Sequence, residues 1–334
     1  MTASGGGPFS SALASQLDRF LALKRAAGCR YEGEASLLRA LDRFLTTHLP
    51  PADPVITMDL VRAWVARRGA ESETTRAHRL TLMRELCRFL VRDEPRTAVA
   101  DRHFLGIVRQ RFVARVLTRQ EGRAFVAACT QLPAFRSSPL RGVVLGSLLM
   151  LLYLTGLRLG EARRLSIEDV DLTDGVLRVR QSKFGKSRLV PLAPDVCSRL
   201  TSCRATIERR LGRRPLDAPF FPTPRGTLYS VYSSSAVETA FRQVLGYAAF
   251  PERCAGQRLR VHDLRHSFAV LRLLLWCEQG GDVNAKLSLL ATYLGHVGIA
   301  STQRYLQLTA DLRGEVSRRH ATRFGHLISE RAEP

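Results

Sequence analysis

Between His262 and Tyr305 the chain gathers side chains suited to a phosphodiester. The stretch Val261-His262-Asp263-Leu264-Arg265-His266-Ser267 puts His262 and Arg265 three residues apart, which on a helix sets them one turn apart on one face. A guanidinium forks onto two non-bridging phosphate oxygens, and an imidazole beside it donates a hydrogen bond or moves a proton. Leu294-Gly295-His296 adds another imidazole, and nine residues later Tyr305 adds a hydroxyl that can act as a nucleophile. Each piece alone is ordinary. Their weight depends on what the rest of the chain supplies.

A length of 334 residues exceeds one ordinary core and predicts two domains. A hydrophobic content of 45% with 24% charged residues excludes disorder as the overall state. The formal net charge of +21 calls for a polyanionic partner, and nucleic acid is the reading that charge supports best. The surplus is uneven: residues 1–110 hold 17 basic and 12 acidic side chains, whereas residues 111–334 hold 34 and 18. The half that carries the chemistry therefore carries most of the field. Only four of the 51 basic residues are lysines, Lys24, Lys183, Lys186 and Lys286. Lysine can release a proton near neutral pH and arginine cannot, so a retained lysine is a candidate for proton transfer.

The seven cysteines show neither C-x-x-C nor metal-ligand spacing and read as small core residues, which fits a reduced, cytoplasmic protein without a metal or other cofactor. Met1 to Ser10 is Gly/Ser-rich, without the basic and apolar regions of a signal peptide. The uncharged run Gly142–Leu157 is short for a membrane span and reads as a helix buried on all sides.

Helical periodicity runs through Phe9–Ala27 and Glu32–Leu49, while Thr57 and Ser72 are suited to cap helices reaching Arg68 and Val91. No strand signal interrupts these hundred residues. They predict an all-helical domain over 9–100 after a flexible residues 1–8, with a connector that begins as early as Asp93 and fills 101–114. Thr118-Arg119-Gln120-Glu121 fits a capping box for a helix to Thr130, followed by the buried helix Gly142–Leu154 and then Thr155-Gly156-Leu157-Arg158. Val176–Gln181 and Arg188–Leu192 read as two strands of a hairpin with Lys183 and Lys186 at its tip. From Asp195 helices dominate: 195–211, 232–247, 260–276, 283–294, 299–307 and 311–325, with a turn at Cys277–Gly281. The fold class is mainly α with a small antiparallel β-sheet: the all-helical domain followed by an α+β domain over 115–325 and a tail, 326–334.

Arg158, Lys183, His262, Arg265, His296 and Tyr305 thus recur in a fixed order over nearly 150 residues. With Thr155-Gly156-Leu157-Arg158 and Glu161, Arg188-Leu189-Val190-Pro191-Leu192, His262-Asp263-Leu264-Arg265-His266 and Leu294-Gly295-His296 before Tyr305, the chain resembles the tyrosine recombinases of the phage-integrase family. Asp169-Val170-Asp171-Leu172 and Gly175 match the family's approach to the hairpin. The helical N-terminal part is similar to the core-binding domain by helix pattern and position.

The resemblance implies that Arg158 and Arg265 clamp the scissile phosphate, that Lys183 is the hairpin lysine with Lys186 as its rival, that His262 and His296 are the remaining activating positions, and that Tyr305 is the nucleophile. Glu161, Lys186, Arg188 and His266 are candidates for supporting the site or touching DNA, with Lys186 and Arg188 read as backbone contacts and Arg163 and Arg164 as a solvated or phosphate-facing edge.

The chemistry is coherent by itself. Attack by a phenol on a phosphodiester builds negative charge on the equatorial oxygens, which two fixed guanidinia stabilise more than the ground state. A lysine can protonate the leaving 5′-oxygen. The implied partners are double-stranded DNA with paired recombination arms, a homo-oligomer forming a tetramer on two duplexes, and other recombinases of the same mobile element; the implied location is cytoplasmic and nucleoid-associated. A type IB topoisomerase uses a similar residue set, and a catalytically accessory DNA-binding subunit is a further alternative.

Overall fold

The computed structural model describes residues 9–28, 31–106, 114–180, 187–225, 228–251 and 258–296, together with Thr302 and Tyr305. The chain divides into two units, Met1–Arg111 and Phe112–Pro334.

In the first unit, helices α1 (Ala14–Ala26), α2 (Glu32–His48), α3 (Met58–Val65) and α4 (Glu73–Leu90) share one core. The Thr57 and Ser72 side chains accept hydrogen bonds from the Leu60 and Thr75 N–H groups. Each satisfies an amide that a helix start otherwise leaves open. The Trp64 ring is fully buried and carries two guanidinia, Arg68 at 4.7 Å and Arg79 at 5.4 Å from its centre. Arg79 is itself buried, and the Glu71 carboxylate and Ala66 carbonyl compensate its charge. Part of the stretch after Asp93 that reads as a connector is built into this unit. The Ala98 N–H donates to the Ile56 carbonyl at 2.8 Å, Arg84 Nε donates to the Ala100 carbonyl at 2.8 Å, and Ala100 joins the core.

The second unit begins at the Thr118 capping box. Thr118 Oγ1 accepts from the Glu121 N–H at 3.1 Å, and the Glu121 carboxylate accepts from the Thr118 N–H at 2.8 Å, opening α5 (Arg119–Cys129). The apolar run that follows is α6 (Arg141–Thr155), the axis of this unit. It needs apolar side chains all round because α5, α8 (Pro194–Leu211), α9 (Ser234–Tyr247) and α10 (Val261–Glu278) all pack on it. A left-handed residue, Gly156 at φ +64°, ends α6, and the short α7 (Leu159–Arg163) starts directly beyond it.

Three short strands, β1 (Val170–Asp171), β2 (Val176–Val179) and β3 (Arg188–Pro191), form an antiparallel sheet in sequence order. Leu177, Val179 and Val190 face the core, while Arg178 and its cross-strand partner Leu189 face out. Lys183 and Lys186 lie outside the described residues.

Two readings of the later chain are corrected. Helices do not take over directly after α8: β4 (Pro222–Arg225) and β5 (Leu228–Val231) form a second antiparallel hairpin. Its sequence hides it, because Pro222 and Pro224 argue against a strand. Cys277 and Glu278 are also not a turn but the last residues of α10, and Cys277 is buried; the chain reverses only at Gln279–Gly281, where Gly280 has φ +77°. Helix α11 (Val283–Leu294) follows, opened by the Asp282 carboxylate and closed by Gly295 at φ +66°. Thr302 and Tyr305 are helical, and the helix read over 311–325 lies outside the described residues.

The α5–α6 contact makes a direct test of packing against propensity. A β-carbon on Gly146 would stand 2.3 Å from the Cys129 carbonyl oxygen. Alanine is the better helix former by about 1 kcal/mol, yet Gly146→Ala should destabilise the protein by about 1–3 kcal/mol through overpacking. Urea unfolding measures this; an unchanged or raised midpoint would contradict the close approach.

Candidate active site

Two helix ends build the site. The last carbonyls of an α-helix lack internal partners and form the negative pole of its dipole, so they favour cations. At the end of α6, the Gly156 carbonyl accepts from Arg265 Nη1 at 2.8 Å. At the end of α11, the Leu294 carbonyl accepts from Arg265 Nη2 at 2.6 Å, and the next carbonyl, Gly295, accepts from Arg158 Nη2 at 2.9 Å. Successive carbonyls thus hold the two arginines side by side. Arg265 enters from the first turns of α10 and is only 2% exposed. Burial, then the charge of Arg158, pushes its pKa down to about 10.

Glu161 balances part of this charge. Its carboxylate accepts from Arg158 Nη1 at 2.8 Å and from the Arg158 backbone N–H at 3.0 Å. It also takes a two-pronged contact from Arg188, at 3.2 and 2.8 Å. Burial pushes the Glu161 carboxyl up, but the Arg188 and Arg158 contacts outweigh it and hold the pKa at about 2. Three guanidinia around one carboxylate leave a positive surplus.

Beside it stand three imidazoles and a phenol. His262 is solvent-facing at the rim, and its ring meets His266 edge-on at 4.8 Å between centres. The His266 ring lies 5.4 Å from Tyr305, and His296 stacks on Tyr305 at 6.0 Å. His296 Nδ1 shares a hydrogen bond of 2.8 Å with Thr302 Oγ1. Desolvation lowers all three histidine pKa values, at His262 through the side of the ring turned to the protein. Arg265 lowers His262 further; His262 helps bring His266 to about 4; Arg265 and Arg158 help bring His296 to about 4. Burial raises the Tyr305 pKa, opposed by the neighbouring Arg265 guanidinium. Tyr305 is 3% exposed, so in the DNA-free protein its phenol is protonated and covered.

The structure therefore gathers Arg158, Glu161, Arg188, His262, Arg265, His266, His296 and Tyr305 at one place. Two readings change. Arg188 is a largely enclosed strut supporting the site rather than a free backbone contact, because its three nitrogens are engaged by Glu161 and the Tyr293 carbonyl. Arg163 is tied to the Tyr232 carbonyl and the Ser234 hydroxyl, whereas Arg164 is exposed. Three buried side chains escaped the sequence reading. Thr302 lies one turn before Tyr305, a spacing that could have flagged it as the partner of His296. Asp263 caps α10 by accepting from the Arg260 N–H at 2.8 Å. Ser267 accepts from the Leu117 N–H at 2.9 Å and so ties the start of the second unit to α10. Among the described residues, no group of three or more His, Cys, Asp or Glu side chains could hold a metal ion. No helix among them is long and apolar enough to cross a membrane.

Residues 115–311 match the phage integrase family. A Sinorhizobium fredii protein named as an integrase/recombinase, y4rE, is 34% identical over 307 residues, which is 91% of this chain and 94% of that one. Among solved structures, the Tn1549 transposon integrase in complex with a circular intermediate DNA superposes with a TM-score of 0.61 at 15% identity, covering 91% of this chain and 99% of that one. A lambda integrase tetramer bound to a Holliday junction gives 0.55 at 20% identity, covering 86% and 77%.

The neutral imidazoles have a measurable consequence. His266 and His296 titrate near 4 in the folded chain but near 6.5 when unfolded. Between those values the unfolded state binds more protons, so stability is full above pH 6.5 and is lost as pH falls towards 4. His266→Phe keeps an aromatic ring and should flatten the stability profile in that window by up to about 1.4 kcal/mol per pH unit. Urea melts at several pH values measure it, and an unaltered slope would exclude a neutral, enclosed His266.

Proposed function

The chain belongs to the phage integrase family and is a site-specific tyrosine recombinase that cuts and rejoins DNA strands, and we propose that Arg158, Lys183, His262, Arg265, His296 and Tyr305 carry the reaction. The observation that supports this best is the convergence of Arg158 and Arg265 on the carbonyl ends of two helices, with the rings of His296 and Tyr305 stacked on each other nearby.

In the proposed reaction, Tyr305 Oη attacks the scissile phosphorus as its phenolic proton leaves. The P–O bond to the 5′-oxygen breaks, leaving a 3′-phosphotyrosyl bond and a free 5′-hydroxyl. Arg158 and Arg265 neutralise the charge that grows on the non-bridging oxygens. They are held in place beforehand, so little reorganisation accompanies the chemistry. His262, at the rim, is the acid–base partner, and His296, oriented by Thr302, donates a hydrogen bond to the phosphate. Lys183, outside the described residues, protonates the leaving oxygen, with Lys186 as its rival. The phosphotyrosyl bond conserves the energy of the phosphodiester, so a 5′-hydroxyl from another duplex reverses the step without ATP.

The protein binds DNA and oligomerises. The finer reading is a tetramer on two duplexes with paired recombination arms, acting for a mobile element alone or with its other recombinases. The transposon integrase with its circular intermediate and the lambda integrase tetramer on a Holliday junction support it by likeness. The segment after Tyr305 would dock on a neighbouring protomer.

A nicked substrate that loses the strand beyond the cut should trap protein on DNA through Tyr305. Tyr305→Phe should form no covalent product. Lys183→Ala should slow trapping by roughly 10²–10⁴-fold, an effect that a bridging sulfur at the leaving position relieves because a thiolate needs no proton. Undiminished trapping by Tyr305→Phe would refute the mechanism. Deleting the chain after Thr309 should abolish strand exchange while sparing DNA binding in a mobility-shift assay; normal recombination would refute docking by that segment.

A further inference from the structure

We propose that Arg188 is a positioning residue for strand cleavage: it fixes the Arg158 guanidinium through the Glu161 carboxylate, and the end of α11 through the Tyr293 carbonyl. This rests on the reading of Arg158 as a phosphate clamp.

Arg188 opens β3, where pairing with Val179 of β2 sets its backbone. Its side chain is 10% exposed and lies beneath the site rather than on its surface. The guanidinium forks onto both Glu161 oxygens, and Nε donates to the Tyr293 carbonyl at 2.8 Å. Glu161 in turn binds the Arg158 side chain and N–H. The Tyr293 carbonyl immediately precedes those of Leu294 and Gly295, which hold Arg265 and Arg158. One side chain therefore joins three chain segments whose relative placement sets the distance between the two clamp arginines. Gly295 fits the same arrangement, because a β-carbon there would lie 2.8 Å from Arg188 Nη1.

The charge balance points the same way. Glu161 shared by two guanidinia cannot swing wholly towards either, so Arg158 meets a carboxylate of fixed orientation. Without Arg188, the Glu161–Arg158 pair keeps only the Arg158 N–H and the Gly295 carbonyl to fix its orientation. A lysine cannot replace the fork, since an ammonium is a point donor.

The test compares single-turnover cleavage of a normal scissile phosphate with that of a methylphosphonate, in which one non-bridging oxygen becomes a methyl group and the centre loses its negative charge. Arg188→Gln and Arg188→Lys should slow cleavage of the phosphate by roughly 10²-fold, the loss of about one fixed donor. On the methylphosphonate the deficit should shrink in parallel with that of Arg158→Ala, while DNA affinity stays unchanged. Glu161→Gln should follow the same pattern, and thermal melts identify any variant that fails to fold, leaving Arg188→Lys to carry the comparison. Equal deficits of the Arg188 variants on both substrates, with Arg158→Ala relieved, would mean general support of β3 and overturn the proposal. Equal deficits for Arg158→Ala itself would overturn the clamp reading and the proposal with it.

Discussion

Cations must be held side by side before any anion arrives, and this constraint shapes the second unit. Two unit charges about 6 Å apart at an effective dielectric of about 20 repel by roughly 3 kcal/mol. The fold offsets that cost at the ends of α6 and α11, whose terminal carbonyls face Arg158 and Arg265, and with Glu161, shared between Arg158 and Arg188. Gly156 and Gly295 make both helix ends possible, because each turns the chain through a left-handed residue while leaving the last carbonyls open to a donor. Among the described residues Glu161 is the one carboxylate hydrogen-bonded to these arginines, and the surplus of positive charge that remains suits an anion such as a phosphodiester.

The same crowding sets the protonation of the neighbouring groups. His266 and His296 are neutral at physiological pH because burial and the guanidinia oppose a further cation, and Tyr305 keeps its proton under its covering side chains. A phosphate bound between the arginines would cancel much of their field. The field that lowers the pKa values of His262, His266 and His296 would then weaken. Protonation at the site is thus linked to anion occupancy through electrostatics.

That His262, Arg265 and Arg158 lie together was legible because local structure constrains them: His262 and Arg265 stand one helical turn apart, and Arg158 follows the break after a buried helix. Capped helix starts at Thr57, Ser72 and Thr118 were equally legible, since each depends on a local side chain-to-backbone bond. The β4–β5 hairpin was not, because cross-strand pairing overrode the prolines in β4. Which of its two candidate parts Arg188 takes, supporting the site or touching DNA, was not legible for a related reason. Its alternation in a strand predicts only which face it takes, and its partners, Glu161 and Tyr293, lie far away in sequence. Thr302 was visible only as a residue one turn before Tyr305, and its role depends on where the preceding histidine folds back.

This separation of internal from surface arginines bears on what the net charge means. A total of +21 suggests a surface uniformly prepared for DNA, yet Arg79, Arg141, Arg214 and Arg265 are buried, and Arg188 is nearly so. Such side chains serve as multidentate donors to carbonyls and carboxylates, work that the planar fork of arginine performs and the ammonium of lysine does not. The arginine-rich composition is therefore partly a structural material. Arg79, Arg141 and Arg214, engaged inside the fold and away from the candidate site, are not available to the DNA backbone, so the salt dependence of binding should report fewer phosphate contacts than the arginine count suggests. Lysine has a packing use of its own where a point charge suffices: Lys24 pairs with Glu85 at 2.7 Å and Lys286 lies over the Trp276 ring, so rarity alone does not assign a lysine to chemistry.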